Sequence, residues 1–321
     1  MKRFCFVFWV LWIFLIPFAQ SQSFPHKPVK IIMPYPGGGP TDILGRLVAQ
    51  QLTQIWGQNV VIDNRPGGAG LIGASLALAA PADGYTLFLG GVTTLAIAPY
   101  VHKNLSYDPL RDFQPISQTT ISPLLLMSHP GLPVQTVKQY VQLAQTHPGQ
   151  INYATSGPGG SGHLAGELFR YVTHVNIVHV PYRGAPPALN DLIAGQVQTM
   201  FGSMLAAMPH IRSGKIKAIA ITGPQRSVAL PKIPTFAQSG YPNYEASTWN
   251  GLLAPAGTPA TLIDQIHDSV AQVMRIGNLF ERLSADGPIA VSSTPQEFSL
   301  FIKAEQLKWG AVVRQAHIRI D

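Results

Sequence analysis

Cysteine is almost missing from this chain: Cys5 stands alone in 321 residues. Disulfide scaffolds, cysteine-ligated zinc sites and CxxC redox centres are therefore excluded. Charge is scarce too. Lys and Arg number 22 and Asp and Glu 15, together 12% of the chain, where a globular domain usually carries about 25%. The formal net charge of +7 comes without a run of Lys or Arg, so nucleic acid is not an expected partner, and the mild excess suits small anions. The ten histidines form no HExxH or HxH pattern, and no metal is expected. No GK[ST] follows Gly37-Gly38-Gly39, so no lysine is placed for a nucleotide phosphate. Plentiful instead are Gly (30) and Pro (28) without a three-residue period, which means many tight turns. The apolar fraction of 46% is ordinary, enough for a full core, and the length suggests two domains.

Lys2 and Arg3 precede an apolar run from Phe4 to Ile16, then Pro17 and Phe18-Ala19-Gln20-Ser21. This is the pattern of a secretory signal peptide over residues 1–21, cleaved near Ser21. The run is shorter than the ~20 residues of a spanning helix. A lipoprotein would need a cysteine at the end of the run, and Cys5 lies at its start. The expected location is the periplasm.

Beyond the leader, short apolar strands alternate with helical patterns. Strands are expected at 29–33, 60–62 and 85–89. Between the first two lies a helix carrying Ile43, Leu44, Leu47, Val48, Leu52 and Ile55 at helical spacing. This βαβαβ order predicts a parallel sheet covered by helices. Extended segments at 113–120 and 124–127 mark a crossover. A second α/β run follows, with helices at 134–145, 163–171 and 187–193 and strands at 151–154, 175–180, 197–201 and 216–221. After a Pro-rich loop, a strand at 249–254 and helices at 259–276 and 294–316 close the chain. The expected fold class is α/β with two lobes joined by two crossings: residues 22–122 and 223–321 in lobe one, 123–222 in lobe two.

Catalytic patterns are weak. Ser161 lies between Gly160 and Gly162 but lacks the outer spacing of a GxSxG elbow. Gly157-x-Gly159-x-x-Gly162 matches a dinucleotide fingerprint literally, yet Asn176-Ile177-Val178-His179-Val180 supplies no acid for the ribose. No cofactor is expected. His163 and Glu167 share a helix face, where a side-chain hydrogen bond is the simpler role than a metal site. The chain reads as a non-enzyme; a periplasmic hydrolase using Ser161 and His163, or His179, is the alternative.

One kind of loop recurs. Four strands end in small, Gly-rich turns at 36–42, 66–70, 90–94 and 156–162. In open α/β sheets ligands sit at the carboxyl ends of strands. Glycine leaves backbone N–H groups unshielded, and the following helix N-termini carry partial positive charge. Such turns bind anions without arginine. The expected ligand-binding set is Tyr35, Gly37, Gly38, Gly39, Thr41, Asp42, Gly67, Gly68, Ala69, Gly70, Val92, Thr93, Ser156, Gly157, Gly160, Ser161, His163, Tyr182, Gly202 and Ser203. Asp42, in a first helical turn, reads mainly as a cap and loop brace.

Particular motifs resemble the Bug family of extracytoplasmic solute receptors. They are Pro34-Tyr35-Pro36-Gly37-Gly38-Gly39-Pro40-Thr41-Asp42, Asn64-Arg65-Pro66-Gly67-Gly68-Ala69-Gly70, Asp83-Gly84-Tyr85-Thr86-Leu87 and Tyr107-Asp108-Pro109. The second half adds Ser156-Gly157, His163-Leu164-Ala165-Gly166-Glu167-Leu168 and His179-Val180-Pro181-Tyr182-Arg183-Gly184, and Ala254-Pro255-Ala256-Gly257-Thr258-Pro259 follows. The resemblance implies a two-lobed periplasmic-binding-protein fold of the Venus flytrap, type II-like kind. It also implies capture of a small organic anion, a carboxylate, between the lobes, and delivery to the membrane subunits of a tripartite tricarboxylate transporter. A monomer is expected, and a receptor feeding a sensor system is a second role. The chain departs from the family where Gly202-Ser203 replaces Asp-Asn, Ala98-Pro99 replaces Asn-Pro, and Gly160-Ser161-Gly162 replaces a Thr/Ser run. Losing that acid and amide favours a plain carboxylate over an amino acid.

Overall fold

The computed structural model describes residues 24–38, 40–276 and 288–318. The expected leader at 1–21 and the expected site residue Gly39 lie outside the described residues. The first half holds β1 (Val29–Met33), α1 (Pro40–Trp56), β2 (Val60–Asn64), α2 (Leu71–Leu78), β3 (Thr86–Gly91), α3 (Ala98–Val101), α4 (Pro109–Asp112) and β4 (Phe113–Ser128). Next come α5 (Val137–Thr146), β5 (Asn152–Thr155), α6 (Ser161–Thr173), β6 (Val178–Pro181), α7 (Ala185–Ile193), β7 (Thr199–Ser203), α8 (Met204–Arg212) and β8 (Lys217–Ile221). The chain returns through β9 (Ser247–Pro255), α9 (Ala260–Met274), β10 (Ile289–Ala290) and α10 (Pro295–Gln315).

The strands run in the order β2-β1-β3-β9-β4-β7-β5-β6, with β8 and β10 also paired to β4. The outer pairs β1–β2, β1–β3, β5–β6 and β5–β7 are parallel, as the alternating pattern predicts. At the centre β9 and β4 run antiparallel. The two extended segments expected at 113–120 and 124–127 are one 16-residue strand. Pro123, which has no N–H for a ladder, falls between the two expected segments. The strand survives because it changes partners at that point, pairing with β9 through Pro123 and with β7 and β8 from Leu124 onward. Pro115 sits where the β4–β9 register shifts, the kind of place a residue without an N–H is tolerated.

The turn expected at 90–94 is absent. Gly90 and Gly91 belong to β3, and the chain coils at once into a π-helical stretch, Thr93–Ile97, that leads into α3. The strands expected at 175–180 and 197–201 lie a little later, as β6 and β7.

Apolar packing divides by face. A core of α1, α9, β1 and β3 residues, including Leu44, Leu52, Ile31, Leu87 and Val270, covers one face of the first half. A second, with Leu125, Leu189, Leu192, Met204 and Met208, covers the same role in the second half. A larger core is continuous across both halves, from Phe88 and Trp249 through Phe298 and Trp309 to Phe169, Phe201 and Phe236. The halves are thus joined along a shared core and along β4.

Thr222 ties the chain crossings together. Its N–H donates to the Leu124 carbonyl at 2.9 Å. Its hydroxyl accepts from Leu124 N–H at 2.7 Å and donates to the Ala246 carbonyl at 2.6 Å. Its carbonyl accepts from Ala246 N–H. One buried side chain therefore links the strand entering the second half with the segment that leaves it.

Candidate functional site

A cavity of about 200 Å³ opens between the two halves. Thr41 and Leu44 of α1 line it, with Thr120 and Ser122 of β4 and Thr248 and Asn250 of β9. Opposite stand Ser156, Ser161, Gly162, Ala185 and the β7–α8 junction from Met200 to Leu205. The junction residues Pro123 and Leu124 form part of the floor.

Three helices begin at this cavity with open ends. Gly160 precedes α6, Gly184 precedes α7 and Ser203 precedes α8, and none supplies a side-chain cap. The first N–H groups of an α-helix have no partner within the helix, so in α6 and α8 these donors are free for a ligand. In α7, Pro186 and Pro187 have no N–H, and Ala185 is the one donor among its first three residues. The helix dipoles favour negative charge at all three starts. Lining residues Ser161, Ala185 and Met204 are the first residues of those helices. Hydroxyls surround them, from Thr41, Thr120, Ser122, Ser156, Ser203 and Thr248. Asn250 adds a carboxamide, and apolar wall comes from Leu44, Leu124, Met200, Phe201, Met204 and Leu205. Among the described lining residues there is no Lys, Arg, His, Asp or Glu.

Of the expected site residues, Thr41, Ser156, Ser161, Gly202 and Ser203 line the cavity. Gly157 and Gly160 belong to the same turn as Ser156. Gly157 has φ 144°, and the turn is held to β6 by Tyr182 N–H on Thr155 O and Gly184 N–H on Ser156 O. The Tyr182 hydroxyl itself donates to Asp191 Oδ2 at 2.7 Å, outside the cavity lining. His163 is buried behind the turn.

Asp42 acts as the brace its position suggested. Its carboxylate accepts from Arg46 Nε at 2.8 Å, Gly38 N–H at 2.9 Å and Asn64 Nδ2 at 2.8 Å. The Arg46 hydrogen bond, helped by those of Gly38 and Asn64, holds its pKa down at about 2 against the opposing effect of burial. Gly37 and Gly38 are exposed beside it, Tyr35 is half-buried with its phenol pushed up to about 12 by burial, and Val92 is buried with Thr93 half-buried.

Gly67, Gly68, Ala69 and Gly70 do not line the cavity. All four adopt positive φ (121°, 55°, 53° and 96°), the first three exposed. The left-handed backbone accounts for the three glycines of this turn. Gly68→Val is therefore expected to lower unfolding stability by roughly 1–3 kcal/mol through the left-handed backbone, and to leave carboxylate affinity unchanged by calorimetry. A large loss of affinity in folded Gly68→Val would bring this turn back into the site.

The cavity residues Thr120, Ser122, Thr248 and Asn250 went unnoticed in the sequence. Thr120 pairs with Asn250 and Ser122 with Thr248 across β4 and β9. Alternate strand residues share a face, so two polar residues two apart on each strand were the available signal. Only the register puts them opposite one another.

Residues 44–318 match the tripartite tricarboxylate transporter family receptor. The chain belongs to this receptor family. It is 34% identical over 303 residues to BugT of Bordetella pertussis (strain Tohama I), an alignment spanning 94% of this chain and 93% of that protein, which bears out the Bug resemblance. An R. palustris protein solved with adipate superimposes with a TM-score of 0.82 at 34% identity, covering 92% of this chain and 100% of that one. MatC from Rhodopseudomonas palustris, solved with bound malate, gives 0.77 at 29%, covering 90% and 100%. The receptor thus has the two-lobed α/β fold of periplasmic solute-binding proteins.

Proposed function

We propose that this receptor captures a small carboxylate, preferentially a dicarboxylate, in the cavity between its lobes, and hands it to the membrane subunits of a tripartite tricarboxylate transporter. The observation that carries this reading is the meeting of three uncapped helix starts in a cavity whose described lining residues include no charged side chain. A carboxylate satisfies those N–H groups, and the apolar wall accommodates methylenes. Relatives solved with adipate and malate support the same class. Among the described lining residues there is no acid to pair with an ammonium group, so amino acids are disfavoured.

The lobes in this reading are residues 22–122 with 223–321, and 123–222, meeting at the Thr222 link. The protein works as a monomer in the periplasm after loss of residues 1–21. It is not an enzyme. His163 Nδ1 accepts from Gly159 N–H at 3.0 Å and the ring stacks on His179, so that nitrogen is engaged and unavailable to take a proton from Ser161.

Energetics are adequate. Micromolar binding needs about 8 kcal/mol, and charge-assisted hydrogen bonds give roughly 1.5–3 kcal/mol each. Calorimetric titration with adipate, malate, citrate and glutamate near neutral pH is expected to show binding of a dicarboxylate, strongest among the four, and small-angle scattering to show a smaller radius of gyration when it binds. Absence of heat and of compaction with all four acids would refute the carboxylate reading.

A further inference from the structure

Two histidines lie directly behind the Ser156–Ser161 turn with their rings face to face. The His163 and His179 centroids are 3.9 Å apart and the planes differ by 11°. His163 leads from α6 and His179 from β6. Both are tied to the turn. Gly159 N–H donates to His163 Nδ1 at 3.0 Å. His179 Nε2 lies 2.7 Å from Thr155 Oγ1, and that hydroxyl contacts both Gly157 N (3.3 Å) and Gly157 O (3.2 Å). The pair therefore holds Gly157 and Gly159, two of the four residues between cavity-lining Ser156 and Ser161.

The other charged and titratable groups facing the rings are few. From α6, Glu167 Oε1 lies 3.9 Å from His163 Nε2. That carboxylate is already engaged by Arg170 Nη1, at 3.0 and 2.8 Å to its two oxygens, and by the Tyr153 hydroxyl at 2.7 Å. From β5, Tyr153 stacks on His179 with centroids 5.1 Å apart.

We propose that His163 and His179 are positioning residues that make ligand binding sensitive to acid: protonation of the pair loosens the Ser156–Ser161 turn and releases the bound carboxylate. This rests on the carboxylate reading of the cavity and adds its regulation. The chemistry is direct. A proton on His163 Nδ1 would point at the Gly159 N–H and remove the acceptor that holds it. Two imidazolium rings stacked at this distance would also repel each other, with one carboxylate, already shared, to offset them.

Burial holds both rings neutral. It lowers the His163 pKa against the pull of Glu167, with Arg170 adding to the fall. It brings His179 down to about 4, with the His163 charge contributing. A base whose folded value lies below its free value, about 6.5, contributes its full stability above that pH and loses it as the pH falls. For His179 the loss runs from about 6.5 down to about 4.

Two measurements on the mature chain test this. In the first, ligand-free protein labelled with ¹⁵N-glycine and ring-¹⁵N-histidine is taken from about pH 7.5 to about pH 3.5, past the value of about 4 for His179. The Gly159 amide signal is expected to shift with the midpoint of the His163 and His179 ring signals. An unmoved Gly159 amide while the rings titrate would overturn the proposal. In the second, adipate is titrated calorimetrically over the same range into wild type and into a His163→Gln, His179→Phe double variant. If acid leaves about a tenth of molecules with the turn in place, apparent Kd rises about 10-fold. Wild type is expected to lose about that much more affinity than the variant, which reports adipate's own protonation. Superimposable profiles would overturn the proposal. Should adipate fail to bind wild type at pH 7.5, or the variant fail to fold, the Gly159 measurement decides alone, and the first of these results counts against adipate as a ligand.

Discussion

Ser161→Asp is expected to abolish carboxylate binding while leaving the receptor folded. Ser161 is the first residue of α6, behind a glycine that offers no side-chain cap, and it lines the cavity. An acidic side chain in a first helical turn is favoured by the dipole, so the substitution does not strain the helix. The new carboxylate competes for the same N–H donors and repels the ligand's charge. Two like charges about 4 Å apart at an effective dielectric of 20 cost about 4 kcal/mol, close to a thousandfold in affinity. Ser161→Ala, which removes one neutral hydroxyl, is expected to cost only about 1 kcal/mol. Calorimetry with adipate, alongside circular dichroism, separates the two. A folded Ser161→Asp protein with wild-type affinity would move the ligand away from α6 altogether.

Glu305→Leu is expected to give the largest loss of stability, although Glu305 touches no ligand. It is buried in α10, and its Oε2 accepts from the indole N–H of Trp249 at 2.8 Å and of Trp309 at 3.0 Å. Lys308 pairs with the other oxygen. Leucine would leave two buried indole donors without an acceptor, at roughly 1–3 kcal/mol each. Urea unfolding should therefore report a loss of about 2–6 kcal/mol. Glu305→Gln keeps an acceptor and should lose less. Trp249 lies between Thr248 and Asn250, so the leucine variant should also weaken ligand binding. A leucine variant within 1 kcal/mol of wild type would show that the indoles find other acceptors.

The alternation of apolar strands and amphipathic helices was legible along the chain because each pattern is local. Leu44, Val48 and Leu52 lie on one side of α1 and are all buried. The recurring glycine turns were also visible, but their use was not. The 156–162 turn reaches the cavity and the 66–70 turn does not, though both follow parallel strands and lead into helices. Composition cannot tell a turn that needs positive φ for its own geometry from one that opens its N–H groups to a ligand.

What the sequence by itself determined is the α/β class and its two-lobed order, with the expectation of an anion site built from helix ends rather than arginine. These follow from period, turn chemistry and a scarcity of charge, all carried by neighbours in the chain. Tertiary structure alone decided that β4 runs unbroken past Pro123, that Thr120 faces Asn250 and Ser122 faces Thr248, and that His163 meets His179. Each depends on which residue stands opposite which across 16 to 130 positions. That pairing is set by strand register and by helices docking on a shared core, and these arise only when distant segments bury their apolar faces against one another.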